Sequence, residues 1–194
     1  MDIKKILPNL VECFYLSNRI DGELEFIKNP LPIADKNIFR QLLEYYQHLS
    51  FKADCYFGNQ FFDIVLLPMQ SEGTKPETWA LHHDERFKKK DYIIFAHTTS
   101  DDVICCNIRD DKCPVYGLIS GSEHYHKLGD SLYDFLSFYI KLVYLEINDY
   151  HEEIYSDNNF NVKKEFIDDV SNIIKANFSG DSREGLIRFL LSGL

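Results

Sequence analysis

The sequence predicts a soluble α+β domain, and two observations lead to this prediction. The first is a pair of segments rich in β-branched and aromatic residues, 92–98 and 103–109, which are joined by an acidic turn. Such segments, bounded by clusters of Asp and Ser, are typical of half-buried or central strands. A second acidic turn and a third short strand at 115–119 follow. The second observation is a helix pattern that begins at Ser131.

This helix pattern combines a start signal with a regular apolar stripe. Ser131 stands three residues before Asp134, a spacing in which the serine hydroxyl accepts a hydrogen bond from the N3 amide. Apolar residues then recur at helical spacing, namely Leu132, Phe135, Leu136, Tyr139, Ile140, Val143 and Ile147. We therefore expect one continuous apolar face that packs against the sheet.

The first third of the chain predicts a helix and a hairpin after an ambiguous start. Residues 2–16 carry apolar residues at helical spacing, whereas the Asp21-Gly22 pair between two apolar segments favours a hairpin turn. The sequence does not choose between these alternatives. Asp35 is a suitable N-cap for a helix that reaches Leu49. The Gly58-Asn59 pair between two β-rich segments predicts a hairpin with a two-residue turn.

Segment 68–91 loses periodicity and gains glycine, proline and charged residues. These features predict a long, mobile connection that runs over the surface. We expect Trp79, the only tryptophan of the chain, to hold this connection to the body of the protein.

The C-terminal part predicts two further helices, one at 162–178 and one that starts at Asp181 or Ser182 and ends at Gly193. The length of the chain fits one domain. We expect a single domain over 1–194, in which 150–194 form a C-terminal helical extension.

The charge balance limits the classes of partner. The formal net charge is −10, which argues against nucleic-acid or anionic-membrane binding and favours a basic protein partner. The charge has an alternative explanation, since it also serves solubility alone. Its distribution is uneven, because segment 145–170 holds eight acidic residues and two lysines.

The sequence also favours a cytoplasmic location. The longest apolar runs are short, and the N-terminus lacks the long apolar region of a signal peptide. The five cysteines are odd in number and irregularly spaced, which favours free thiols in a reducing compartment over a disulfide framework.

Two histidine groups are candidate metal ligands. One is His82-His83, followed by two acids, and the other is His124 with His126. Adjacent histidines do not easily reach one ion, and His-x-His chelates mainly on a strand, whereas here we expect it in a loop. We therefore predict no metal or other cofactor, and expect these histidines to be exposed loop residues.

Evidence for catalysis is weak. Cys105 and Cys106 lie on a predicted strand, where neighbouring side chains face opposite sides, and His97 on the preceding strand is a conceivable partner for one of the thiols. We expect His97 instead to hydrogen-bond to the backbone at the end of its strand. No nucleotide-binding or hydrolase motif is present, so we predict that the chain is not an enzyme.

The order of several short motifs resembles the SUKH superfamily. These motifs are Leu31-Pro32 before a helix, the strand pair around an acidic turn, the Pro-Val-Tyr that ends at Tyr116, and the Asp-Ser-Leu-Tyr-Asp-Phe-Leu that starts at Asp130. The similarity covers a third to a half of the chain. The Gly-Gly that often follows the first family helix is missing, and Ala96-His97 replaces a common glycine.

The resemblance implies one mixed, mostly antiparallel sheet backed by helices. It also implies a bacterial immunity protein that binds and neutralises a cognate polymorphic toxin in the cytoplasm of the producing cell. Many such toxins are nucleases with a basic substrate groove, which an acidic face can occlude without any chemistry. Two alternatives stay open, namely a regulatory or scaffolding protein-binding domain and a small enzyme that uses the histidine-rich loop.

The charge clusters suggest which residues contact the partner. Acidic turn residues are usually turn formers, but turns at one end of a meander present their tips together, so these residues can also be contact points. The predicted contact residues are Asp101, Asp102, Asp110, Asp111, Glu152, Glu153 and Asp157.

Overall fold

Seven strands form one sheet in the computed structural model, which describes residues 2–17, 21–33, 38 and 40–191. The strands lie in the order of the chain, and each of the neighbouring pairs is antiparallel. They are β1 (Asp21–Phe26), β2 (Leu49–Gly58), β3 (Asp63–Leu66), β4 (Tyr92–Thr98), β5 (Val103–Asn107), β6 (Val115–Leu118) and β7 (Tyr125–Gly129). The predicted α+β fold with one largely antiparallel sheet is confirmed.

Six α-helices accompany the sheet in the described part of the chain. They are α1 (Leu7–Phe14), α2 (Arg40–His48), α3 (Glu85–Lys88), α4 (Leu132–Tyr144), α5 (Lys164–Asn177) and α6 (Gly180–Leu191). Three 3-10 turns (Ile3–Lys5, Glu72–Thr74 and Pro76–Trp79) and a π-helical turn (Leu145–Asp149) complete the regular structure. No helix among these residues has the length and apolar character needed to cross a membrane.

The predicted strands and the helix after them are confirmed. β4, β5 and β6 are consecutive neighbours, and the Ser131 hydroxyl accepts a hydrogen bond from the Asp134 N–H at 3.0 Å, as a capping serine does. The predicted apolar stripe of α4 is buried from Leu132 to Val143, and Ile147 packs at the edge of the same core from the π-helical turn.

One strand was missed. Tyr125 and His126 belong to β7, so the expectation that His124 and His126 both lie in a loop was wrong. The β7 sequence Tyr-His-Lys-Leu-Gly is poor in β-branched residues, and its local pattern is therefore a weak strand signal. Pairing with β6 and packing against α6 stabilise β7 as a strand despite its weak local propensity.

The N-terminal alternatives resolve into a helix followed by a strand. α1 ends at Phe14, and Asp21 begins β1, so the Asp21-Gly22 pair is not a hairpin turn. The hairpin predicted at Gly58-Asn59 is confirmed as the pair β2–β3, which we call the first hairpin. Residues 59–62 connect its strands, because Gly58 already pairs with Asp63. The predicted N-cap Asp35 and the predicted helix end at Gly193 lie outside the described residues.

Apolar residues cover both faces of the sheet. On one face α1, α2, α4, α5 and α6 pack with the strands into the main core. On the other face a smaller cluster includes Leu67, Phe87, Ile94 and Leu118. Segment 68–91 supplies Phe87, Trp79 and Leu81 to this second cluster, so the expected role of Trp79 is confirmed.

The last two helices pack directly on the sheet and its turns. A Cβ atom on Gly185 of α6 would lie 2.0 Å from the carbonyl oxygen of Lys127 in β7, so only glycine permits this approach. Phe189 of α6 lies over Gly117 in β6. In α5, the Phe166 ring contacts the rings of Phe61 and Phe62 at centroid distances of 5.4 and 5.7 Å.

β1 forms one edge of the sheet and is largely exposed. Glu23 and Glu25 are exposed on this strand, and Lys52 of the neighbouring β2 forms an ion pair with Glu23 at 2.7 Å. β7 forms the other edge and lies against α6.

The buried carboxylate of Glu146 joins the π-helical turn after α4 to the first hairpin. Glu146 is 0% exposed. Its Oε1 accepts hydrogen bonds from the N–H groups of Gln60 (2.7 Å) and Phe61 (3.0 Å), and its Oε2 accepts one from the N–H of Phe62 (3.1 Å). The π-helical turn Leu145–Asp149 carries this side chain to the turn, and a π-turn of this kind often marks a functional or strained site.

Burial raises the pKa of Glu146, although the three amide hydrogen bonds act in the opposite direction. Because the folded-state pKa lies above the unfolded one, the unfolded chain releases this proton at lower pH. The contribution of Glu146 to the free energy of unfolding therefore decreases as the pH rises through the interval between the two pKa values.

Replacement of Glu146 by alanine is expected to lower the free energy of unfolding by about 3 kcal/mol or more, because three backbone N–H groups lose their acceptor. Urea unfolding at neutral pH measures this change. The matched control is Glu165→Ala, which truncates an exposed glutamate and is expected to cost less than about 0.5 kcal/mol. Equal effects of the two variants would contradict the structural role of Glu146.

Candidate protein-binding surface

Asp101 and Asp102 lie in the turn between β4 and β5. Asp101 is exposed and has a φ of 65°. Asp102 is partly buried, and its Oδ1 accepts a hydrogen bond from the N–H of Ser120 at 2.8 Å, which ties this turn to the connection between β6 and β7. The Asp102 carboxylate is therefore engaged in a hydrogen bond within the protein, whereas Asp101 is exposed to solvent.

Asp110 and Asp111 lie at the opposite end of the sheet. Consecutive turns of an antiparallel meander alternate between its two ends, and the five residues of β5 separate these turns by about 17 Å. Asp110 accepts a hydrogen bond from the N–H of Lys112 at 2.9 Å, and Asp111 forms an ion pair with Arg40. The two acidic turns therefore do not share one surface, so the predicted contact residues do not all lie together.

Glu152, Glu153 and Asp157 follow the π-helical turn, at the same end as Asp101. Glu146 fixes that turn to residues 60–62, and the N–H of Glu152 donates to the carbonyl of Glu146 at 3.0 Å. The turn 99–102 adjoins the same hairpin, because Thr99 Oγ1 donates to Asp63 at 2.7 Å. Five of the seven predicted contact residues thus share one end of the sheet.

Asp157 organises the loop in which it lies. Its Oδ1 accepts from the N–H groups of Asn159 (2.9 Å) and Asn161 (3.2 Å), and its Oδ2 accepts from the Asn161 side chain at 2.7 Å. The side-chain and backbone hydrogen bonds from Asn161 lower the pKa of Asp157. The carboxylate therefore stays ionised over the physiological range while it holds the loop.

Three further acidic residues, Asp149, Glu165 and Asp169, lie near Tyr150. Its hydroxyl donates to Asp169 at 2.7 Å, and its ring packs edge-on against Phe166 at 5.0 Å. Burial, the hydrogen bond to Asp169 and the charges of Asp169, Glu165 and Asp149 raise the pKa of Tyr150 to about 12. Burial is the largest cause of this rise in pKa, and the neighbouring carboxylates add to it.

We call the acids grouped around Tyr150 and the loop after it the acidic surface. Its members are Asp149, Glu152, Glu153, Asp157, Glu165 and Asp169. All are exposed except Glu152, which is partly buried. Glu146 is one of the eight acidic residues counted in segment 145–170, but it is buried in the core and is not part of this surface.

Asp149, Glu165 and Asp169 are members that the sequence prediction did not select. A signal for two of them was present, since Glu165 and Asp169 stand four residues apart on a predicted helix and therefore share one face. Their position beside Tyr150 depends on how α5 packs against the first hairpin. That packing is not encoded in the spacing of the charges.

The second face of the sheet offers a groove of about 660 Å³. Trp79, Leu81, Val103 and Leu118 are among its apolar lining residues, and Asp101 lies at its rim.

A side-chain cluster holds segment 68–91 over this face. Arg86 Nε and Nη2 donate to the two carboxylate oxygens of Asp84 at 3.0 and 2.9 Å. The guanidinium carbon lies 3.6 Å from the centre of the Tyr125 ring, and the Tyr125 hydroxyl donates to Asp84 at 2.9 Å. Burial raises the pKa of Asp84, but the hydrogen bonds from Arg86 and Tyr125 outweigh it and hold that pKa below its usual range.

His97 does not form a pair with a strand cysteine. The register places His97 opposite Val103, whereas Cys105 and Cys106 lie opposite Ile94 and Ile93. As expected, the His97 ring donates from Nδ1 to a backbone carbonyl, that of Thr98, at 2.8 Å, and Trp79 packs against it at 4.9 Å between ring centres. Cys105 and Cys106 are both buried, in the second cluster and in the main core respectively.

The other histidines do not assemble with further ligands. His82 and His83 pack against each other at 3.8 Å between ring centres. Within the described ranges, no three or more His, Cys, Asp or Glu side chains are arranged to hold a metal ion.

Comparison with known proteins returned no relative. No protein-family model matches the chain, and no match was found among the curated proteins or the solved structures.

Replacement of Arg86 by alanine is expected to loosen segment 84–91, because it removes both hydrogen bonds to Asp84 and the stacking on Tyr125. Amide exchange in this segment should accelerate about tenfold, which corresponds to roughly 1.4 kcal/mol of local stability. Native-state hydrogen exchange measures this change. Lys88→Ala removes an exposed ion pair with Glu85 in the same helix and should leave exchange nearly unchanged. Equal exchange in both variants would count against the Arg86 cluster.

The thiols are expected to react slowly in the folded protein. All five cysteines are buried, and burial raises the pKa of Cys13 to about 12 and that of Cys55 to about 11, so the thiolate is scarce at pH 8. Titration with a coloured disulfide reagent should detect five thiols only after denaturation. One fast-reacting thiol in the native protein would contradict this prediction and favour the enzyme alternative.

Proposed function

We propose that this chain is an immunity protein of the SUKH type that binds a basic toxin domain in the cytoplasm of the producing cell. It acts by occlusion, so that carboxylates take the place of the substrate phosphates in the toxin's groove. The chain contributes no chemistry of its own.

The observation that carries this proposal is that hydrogen bonds and aromatic contacts fix the acidic surface to the core of the protein. Tyr150 joins Asp169 of α5 to the aromatic side chains around Phe166, and Glu146 fixes the preceding π-helical turn to the first hairpin. The carboxylates are therefore held on a frame that is already ordered before binding. A preorganised surface spends less conformational entropy when it associates.

Electrostatics supports a basic partner. Segment 145–170 holds eight acids against Lys163 and Lys164, and seven of the eight acids remain after the buried Glu146 is set aside. Clustered charge of one sign accelerates association with an oppositely charged groove and makes the affinity depend on salt. The SUKH resemblance of the strand and helix motifs independently favours the same class of function.

Calorimetric titration with the toxin domain encoded beside the gene tests this proposal. We expect one-to-one binding at low salt that weakens at high salt. The double variant Glu152→Lys, Glu165→Lys should raise the Kd at least about tenfold, because like charges then face each other. The matched control, Glu25→Lys with Asp54→Lys, makes the same change in net charge at the β1 edge and should bind normally.

Each other outcome has a definite meaning. If the wild-type chain does not bind the toxin domain, the immunity proposal is wrong. If it binds tightly but neither salt nor the Glu152→Lys, Glu165→Lys variant changes the affinity, the acidic surface is not the interface.

A further inference from the structure

One aromatic side chain stands out on the surface. Phe160 is 73% exposed, whereas the next most exposed large apolar residue among those described, Tyr15, is 46% exposed. The Phe160 ring contacts the Tyr155 ring edge-on at 5.4 Å between ring centres. A protein loses the hydrophobic benefit of burying a phenylalanine when it presents the ring to water.

The loop that presents Phe160 is closed by many hydrogen bonds. A β-bridge joins Tyr155 to Val162 at its base. Ser156 donates from both its N–H and its Oγ to the carbonyl of Asn161, at 2.8 and 2.9 Å. The Asp157 carboxylate binds the loop from within through Asn159 and Asn161. The ring is therefore displayed from a fixed backbone.

The backbone of Phe160 has an uncommon conformation. Its φ is 61°, in the left-handed region that bulky side chains rarely adopt. In this conformation the N–H of Phe160 donates to the carbonyl of Asp157 at 3.3 Å. Backbone strain of this kind persists only where the surrounding structure enforces it, and here it coincides with the most exposed large apolar side chain in the described part of the chain.

We propose that Phe160 is the apolar anchor of the interface formed by the acidic surface. Its ring enters an apolar pocket on the partner protein, and basic side chains at the rim of that pocket meet Asp157, Glu152 and Glu153. This inference rests on the proposed function and identifies the kind of pocket that the basic partner carries. Interface energy usually concentrates in a few such anchors surrounded by polar contacts.

Charge favours this occupant over two others. A second copy of the chain would bring Asp157, Glu152 and Glu153 against the same acids, which is unfavourable. An anionic lipid surface would be repelled by the same carboxylates. A basic protein is the partner that satisfies both the exposed ring and the charges around it.

Binding of the toxin domain by Phe160 variants tests the inference. Phe160→Ala is expected to raise the Kd about 30-fold, mostly through faster dissociation, and to leave the salt dependence unchanged because no charge is altered. Phe160→Leu should recover part of the affinity. Tyr15→Ala, the control at another exposed ring, should change the Kd less than about threefold. The melting temperature of Phe160→Ala should equal that of the wild type, since the ring is largely exposed.

The failures of the two proposals can be told apart. If the wild-type chain does not bind the toxin domain, the proposed function itself is wrong. If the wild type binds and Phe160→Ala binds as well as Tyr15→Ala, the proposed function stands and the anchor inference is overturned. If sedimentation detects a wild-type dimer that Phe160→Ala dissociates, the occupant is a second copy and the inference is likewise overturned.

Discussion

The contact between the Glu146 carboxylate and the amides of residues 60–62 is the interaction on which this arrangement depends. A four-residue turn leaves backbone N–H groups that need acceptors, and a buried one without an acceptor costs stability. Glu146 satisfies three of them with two oxygens. The chain after α4 continues as a π-helical turn toward this position, and Tyr150 and the loop that carries Phe160 follow from it. The acidic surface is therefore positioned from inside the protein.

The two faces of the sheet are closed by different means. The main face has five helices, whose apolar stripes are the usual complement to a sheet. The second face is covered by segment 68–91, which contains one short α-helix, α3. Polar contacts of Arg86 and Asp84 help to hold this segment on the sheet. Arg86 is central to this solution, because one planar cation binds both oxygens of Asp84 and stacks on Tyr125.

The sequence predicted the parts of the fold that local pattern encodes. Strands β4 to β6 and the helix after Ser131 were predictable because their periodicities are regular and Ser131 is a local cap. β7 was not, since its sequence is poor in β-branched residues and its pairing depends on neighbouring elements. Glu146 was counted with the surface acids, because its partners lie 84 to 86 residues away along the chain. The charge clusters predicted the acidic segment. They did not predict that Asp110 and Asp111 lie at the end of the sheet opposite Asp101, because that position depends on how the strands pair and not on local charge.

The exposed first strand has a consequence for how the protein behaves at high concentration. An open strand offers unpaired backbone groups to which another polypeptide can add. On β1, Glu23 and Glu25 flank the buried Leu24, so an identical strand docking there would bring carboxylates together. The same two glutamates act as gatekeepers against edge-to-edge stacking of copies of the chain. They lie at the edge of the sheet farthest along the strand order from α6, where one pair of side chains disfavours self-association.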